Sequence, residues 1–331
     1  MIAKLKRREF IALLGGAAAW PLPVSAQQAK VVRLGYLEPQ TPTDLVAANL
    51  RRQFVLGLRD LGYVERRHFT MEDRSADGRL DRLPALASEL ARLPVDMFVV
   101  GGEAPIRAAM QASDKIPIVM TLAADPVGSG FVTSLARPGG NLTGMSALAP
   151  DLAGKRLELL KELVPLAARV AVLWNSSNQS KVAEWRDTQD AVRTVGLSLR
   201  SFEARSPEEL DGALAAIRSD LPDALITFAD GFTIAFRRRI GSFALAHRLP
   251  MISELREFAE VGGPATYGAN RADLWRRSAS YVDKIARGAN PGDLPVEQAT
   301  RFEMVIGLNT AKAIGLDVPP TLLARADEVI E

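Results

Sequence analysis

The 331-residue chain contains no cysteine. That excludes disulfides, thiolate metal sites, thiol nucleophiles and lipid attachment at cysteine. Histidine is nearly absent too. There are two, His68 and His247, far apart in sequence, so histidine-based acid–base or metal chemistry has little to draw on. His247 reads as a helix C-terminal cap beside Arg248. His68 reads as a surface residue ahead of a strand. A charge excess is also missing, since 41 Lys and Arg face 39 Asp and Glu, a net +2. Lys4, Lys6, Arg7 and Arg8 against Glu9 put +3 in the first 26 residues, which leaves about −1 for the rest. A nucleic-acid binder carries its positive excess in the folded body, so no nucleic-acid partner is expected. There is no P-loop and no G-x-S-x-G elbow, and Gly128-Ser129-Gly130 does not extend to G-x-G-x-x-G. The carboxylates have no metal-ligand spacing. No cofactor and no catalytic residue is expected. Beyond residue 26 no run reaches the ~20 apolar residues that a bilayer span needs.

What is present is ordinary for a globular protein: 47% hydrophobic and 24% charged residues. The length exceeds one compact core, so two lobes are the default. The first 26 residues have the three-part layout of an export signal. A basic stretch, residues 4–8, precedes an apolar one, residues 10–20, and Val24-Ser25-Ala26 ends in a small-residue cleavage pattern. Arg7-Arg8-Glu9-Phe10-Ile11 resembles the twin-arginine motif, although Lys6 and Ala12 depart from it. An ordinary Sec signal is the other reading. Either route predicts a periplasmic protein, cleaved near Ala26 and soluble thereafter.

From residue 31 the pattern alternates. Strands are predicted at 31–37, 69–74, 95–100 and 116–120, with helices at 44–61, 80–93 and 105–113. Leu45, Phe54, Leu58 and Leu61 mark the apolar positions of the first helix. The rhythm restarts with helices at 151–163, 182–195, 207–219 and 233–248 and strands at 168–174, 197–202, 224–228 and 251–252. A strand at 265–268, a helix at 272–287, a strand at 303–308 and a helix at 310–314 follow. Strand–helix alternation predicts parallel sheets wrapped by helices. Two such units in succession predict an α/β protein with two Rossmann-like lobes around a hinged cleft.

In such folds ligands bind beyond the C-terminal ends of strands. The loop after strand 116–120, from Ala124 to Gly144, reads either as a plain turn or as a ligand loop with a hinge at its exit. The candidate ligand groups are the carboxylates Glu38, Glu103, Asp125, Asp230 and Glu254, with Thr41, Thr121, Ser176, Asn178 and Tyr267. All are predicted at or just past strand ends. Such a set suits a small zwitterion, with carboxylates facing an ammonium and hydroxyls, amides and helix N–H groups facing a carboxylate. Trp174 and Phe232 read as core or as packing for an apolar side chain. Arg237-Arg238-Arg239 reads as a solvated helix face.

Several stretches together resemble the tryptophan/tyrosine-binding group of ABC-transporter substrate-binding proteins. They include Asp125-Pro126-Val127-Gly128-Ser129-Gly130, Leu135-Ala136-Arg137-Pro138-Gly139-Gly140-Asn141-Leu142-Thr143-Gly144 and Arg156-Leu157-Glu158-Leu159-Leu160-Lys161-Glu162-Leu163-Val164-Pro165. Arg256-Glu257-Phe258, Leu294-Pro295-Val296-Glu297-Gln298 and Pro319-Pro320-Thr321-Leu322-Leu323 continue the match over the mature chain. The resemblance implies a type I periplasmic binding protein, not an enzyme, whose lobes are joined by a three-crossing hinge. It implies lobe 1 at 31–144 plus about 268–296, and lobe 2 at 145–267 plus about 297–331. The hinge would lie near residues 143–146, Tyr267 and residues 297–300. It places the cleft at Glu38, Glu103, Thr121 and Asp125 in the first lobe, and at Asn175 through Asn178, Asp230 and Glu254 in the second. It implies a monomer that binds a small solute, an amino acid or a related compound, and serves membrane permease subunits. A sensor signalling to a receptor is the alternative role. Where many relatives have Thr-Pro-Ala this chain has Glu103-Ala104-Pro105, which places an acid in the pocket.

Overall fold

The computed structural model describes residues 31–147 and 152–331. The expected export signal and its cleavage site lie outside the described residues. The chain opens β1 (Val32–Glu38), α1 (Leu45–Asp60), β2 (Phe69–Ser75), α2 (Leu83–Arg92), β3 (Met97–Gly101), α3 (Glu103–Ala112), β4 (Ile118–Ala123) and β5 (Leu142–Ser146). Then come α4 (Ala153–Leu163), β6 (Arg169–Trp174), α5 (Gln179–Ala191), β7 (Ser198–Glu203), α6 (Pro207–Asp220), β8 (Ala224–Thr227), α7 (Gly231–Ala235), α8 (Arg237–Ala246), β9 (Met251–Ser253) and β10 (Ala265–Ala269). The chain closes with α9 (Arg271–Ala286), β11 (Glu297–Gln298), β12 (Phe302–Gly307), α10 (Leu308–Ile314), α11 (Pro320–Arg325) and β13 (Glu328–Ile330).

The strands form two sheets, as the alternation predicts. The first runs β11-β5-β4-β3-β1-β2 with every pair parallel. The second runs β13-β12-β10-β9-β8-β6-β7, parallel except where β12 lies antiparallel to β10. Both faces of each sheet are covered, so central strands are apolar throughout; Phe98, Val99, Ile118 and Val119 are wholly buried. The chain passes between sheets three times: after β5, between β10 and α9, and between β11 and β12. α9 packs on α1 of the first lobe, although it follows a strand of the second. The first passage therefore follows Ser146 rather than Gly144, because Leu142 to Ser146 still pair with β4.

Local chemistry sets the helix limits. Asp44 caps α1 by accepting from the Val46 and Ala47 N–H groups, and Gly62, at φ 86°, takes the left-handed turn past its end. Its buried stripe is Ala47, Leu50, Phe54 and Leu58. Leu45 and Leu61, expected on that stripe, are 84% and 41% exposed. Leu45 is the first residue of the helix, next to its Asp44 cap. The helix expected over 233–248 is two helices, since α7 ends at Ala235 and Phe236 separates it from α8. His247 caps α8, with its Nδ1 2.8 Å from the Phe243 carbonyl, as the sequence suggests.

Candidate functional site

The C-terminal strand ends of both sheets converge on one cavity of about 400 Å³. β1, β3 and β4 bring Glu38, Gly101 with Glu103, and Ala124 from the first lobe. β6, β8, β9 and β10 bring Asn175, Asp230, Glu254 and Gly268 from the second. Parallel strands explain the convergence, because every loop leaving a sheet on that side opens toward the other lobe. Leu50, Leu80, Leu83, Ile234 and Trp275 add an apolar lining.

On the first lobe, Glu38 accepts from the Tyr36 hydroxyl at 3.2 Å and from the Gln40 N–H at 3.3 Å. Burial pushes its carboxyl up to about 6, against the Gln40 N–H and the charge of Arg271. Glu103 opens α3 and accepts from the Ala124 N–H at 3.2 Å. Burial raises its carboxyl as well, and its Oε2 has no hydrogen-bond partner among the described residues. The Ser129 hydroxyl faces this carboxylate without closing a bond of ordinary geometry. Neither glutamate has a cation within 4 Å among the described residues. Their neighbourhood follows from the register, since Leu37 pairs with Val100 and so places Glu38 beside the Gly101–Glu103 turn. Behind that turn stands Trp275 of α9. A methyl at Gly101 would lie 2.6 Å from its indole and 2.4 Å from Thr121 Oγ1, so only glycine lets the ring reach the wall.

On the second lobe four charged side chains pack with almost no solvent contact. Arg156 of α4 pairs with Glu184 of α5, and Lys181 Nζ bonds Glu184 at 2.7 Å and Glu254 at 2.6 Å. Burial and the facing Glu254 push Glu184 up to about 7, whereas Lys181 and Arg156 hold Glu254 down against its burial. The Ala229 N–H also donates to Glu254. Asp230 is occupied on both oxygens. Its Oδ1 caps α7 through the Phe232 and Thr233 N–H groups, and its Oδ2 accepts from the Asn175 amide at 2.7 Å and the Asn178 amide at 3.3 Å.

The lobes touch at the mouth. Arg237 Nη2 of α8 donates to Asp44 Oδ2 at 2.6 Å, while Leu80 packs against the core of each lobe. Arg237 is thus an interlobe contact and not the solvated residue that the arginine run suggests. Arg271, at the second passage, pairs with Glu257 at 3.0 Å and lies over the Trp275 ring.

Six of the candidate residues meet at this cavity: Glu38, Glu103, Asn175, Asn178, Asp230 and Glu254. Five others do not line it. Thr121 is wholly buried behind Gly101 and donates to the Val100 carbonyl. Asp125 folds back on its own turn, accepting from the Gly128 N–H at 2.9 Å, so its neighbour Ala124 forms the wall instead. Thr41 bonds Thr43 in its loop, and Ser176 yields the wall to Ser177. Tyr267 packs on the second lobe's core, because strand alternation turns it away from the face that Gly268 presents. Trp174 and Phe232 are core residues; Trp174 stacks on Trp185 at 6.0 Å. Sequence reasoning missed Arg156, Lys181, Arg271 and Trp275, all on helices. The available signal was Arg156 itself, at i+3 from Ala153 and four before Leu160 on an apolar stripe.

The sequence profile for ABC transporter substrate-binding proteins matches residues 47–330. The chain belongs to this family. It is a solute-binding family, not an enzymatic one, and its members work outside the cytoplasm. A tyrosine-binding protein of Clostridioides difficile is 25% identical over 267 residues, 80% of this chain and 76% of that protein. The ABC domain from Streptococcus pneumoniae in complex with L-Trp superposes with a TM-score of 0.84 at 23% identity, covering 91% of this chain and all of that one. The ligand-free, open form of a Clostridium difficile substrate-binding protein gives 0.67 at 22% identity, over 91% and 99% of the two chains. These neighbours establish the type I periplasmic binding fold with its two lobes. Among the described residues, no helix is long and apolar enough to cross a membrane, and no group of three or more His, Cys, Asp or Glu could hold a metal.

Proposed function

We propose that this chain is the solute-capturing component of an ABC importer and encloses an amino acid, or an amine of that class, between its lobes. The observation that carries the reading is the composition of the cavity wall. One lobe supplies half-buried carboxylates at Glu38 and Glu103, the other the amides of Asn175 and Asn178 beside Asp230 and a buried cluster of ion-paired side chains, and an apolar floor lies between. An ammonium faces the first wall, and the polar groups of a solute face the second, around the amides of Asn175 and Asn178. The side chain rests on Leu50, Leu83 and Trp275. That a relative binds tyrosine and a structural neighbour holds L-Trp supports the same ligand class. Ligand touching both lobes favours their closed arrangement by its differential affinity for it. Residues 31–147 with 270–299 act as one moving body, and 152–269 with 300–331 as the other. The loaded, monomeric protein then docks on membrane permease subunits, after export directed by the N-terminal segment through the twin-arginine or the Sec route.

Protein purified without refolding, denatured and analysed by mass spectrometry, identifies what it carries. A thermal-shift screen of the amino acids runs beside it, where ligand at 100 times its dissociation constant adds about 2.7 kcal/mol. Release of no amine, together with no amino acid raising the melting temperature, refutes the reading.

A further inference from the structure

The charges around the cavity do not balance. Asp44 is matched by Arg237, Arg271 by Glu257, and Arg156 with Lys181 by Glu184 with Glu254. Three buried or half-buried carboxylates on the wall then remain without a cation within 4 Å among the described residues: Glu38, Glu103 and Asp230. Against them stands Arg107, which is exposed and lies over the Phe131 ring. Asp230 has four N–H donors, which satisfy its oxygens but leave its charge in place. The two glutamates are less well served. Among the described residues Glu103 leaves one oxygen without a partner, and Glu38 depends on one hydroxyl and one backbone N–H. Buried carboxylates are ordinarily paired or fully hydrogen-bonded. Burial raises both carboxyls above the ordinary glutamate range, and the more distant charges of Arg271 on Glu38 and of Lys181 and Arg107 on Glu103 do not offset it.

A zwitterion cannot correct this. It brings one charge of each sign and leaves the deficit unchanged. A metal ion is poorly served as well, since no third acidic or imidazole ligand joins the two glutamates among the described residues. We propose that the solute is an organic cation of net positive charge, its cationic nitrogen seated at the adjoining ends of β1 and β3 against Glu38 and Glu103. This inference rests on the reading that the cavity holds an amine of the amino-acid class, and it narrows that class by charge.

Matched probes separate charge from shape. Calorimetry on the mature chain, stripped of carried solute, compares tyramine with L-tyrosine and L-lysine with L-norleucine. In whichever pair binds, the net-positive member is expected to bind at least tenfold tighter. Glu38→Gln and Glu103→Gln, each confirmed folded by thermal melting, are expected to shrink that ratio tenfold. L-Tyrosine or L-norleucine binding as tightly as its cationic partner overturns the inference and leaves the amino-acid reading standing. So does a ratio that neither glutamine variant changes. If no probe binds, the charge of the solute released on denaturation decides: a net-positive amine upholds the inference and a neutral or anionic one overturns it. A carried solute with no amine overturns both readings.

Discussion

Arg237→Met tests whether the lobes are held together by a contact that never meets the solute. Arg237 is absent from the cavity wall, yet its guanidinium bonds Asp44 at 2.6 Å across the mouth, with side chains 13% and 14% exposed. Its Nη1 donates to the Ile234 carbonyl at 2.9 Å, which fixes the fork toward the other lobe. Methionine keeps the apolar stem and removes the charge. Hydrogen bonds to charged groups contribute about 1.5–3 kcal/mol, and residual solvent at the mouth trims this toward the lower end. On the two-body reading proposed above, the contact exists only while the lobes are closed. The perturbation therefore falls almost wholly on the closing equilibrium. If the open form dominates without solute, the apparent dissociation constant rises by the whole factor, about tenfold for 1.4 kcal/mol.

Titration calorimetry with the solute identified by mass spectrometry reads this directly. Small-angle scattering on the empty protein should show the variant at least as extended as the unaltered chain, and denaturant unfolding should differ by less than about 1 kcal/mol. The pH dependence has a definite sign. Burial raises the Asp44 carboxyl, but Arg237 and the two helix N–H groups outweigh it and hold it below the ordinary range. The contact is therefore complete above the ordinary aspartate range and is lost as pH falls through the lowered value. A dissociation constant within twofold of the unaltered protein at neutral pH refutes the reasoning.

Arg156→Met leaves Glu184 and Glu254 buried with Lys181 as their one matching cation; it should cost about 3–5 kcal/mol in urea unfolding, with part recovered in Arg156→Met/Glu184→Gln. Gly101→Ala drives a methyl into Trp275 and Thr121, and should cost about 1–3 kcal/mol and shift the tryptophan emission. Glu38 binds its proton more readily folded than unfolded, with its carboxyl pushed up to about 6 from 4.5. Its contribution is therefore complete below 4.5 and lost as pH rises through 6. Unaltered protein should lose about 2 kcal/mol relative to Glu38→Gln across that window, and parallel stability curves contradict it.

Strand ends were the legible part of the site. Glu38, Glu103, Asn175, Asn178, Asp230 and Glu254 each follow an apolar run, and a parallel sheet delivers such residues to one edge whatever the details of packing. Asp125 meets the same rule and fails because its carboxylate is consumed by its own turn, a choice made at the Gly128 N–H. Tyr267 fails by strand parity, which a one-residue uncertainty in the strand's start reverses. The helical residues were hidden for another reason. Lys181 and Glu184, three apart, look like an exposed helical pair, and Thr188 continues the row. That row is buried because Arg156 of α4 faces it. Neither helix alone shows which of its faces is inside; only the two together make a polar row a core. The interlobe contact has the same character, since Asp44 and Arg237 are 193 residues apart. A site assembled from two lobes thus leaves its strand-borne half in the local pattern and its helix-borne half in the pairing of elements. The unmatched glutamates belong to the first half and their missing counter-charge to neither, which is why the solute is the partner that must supply it.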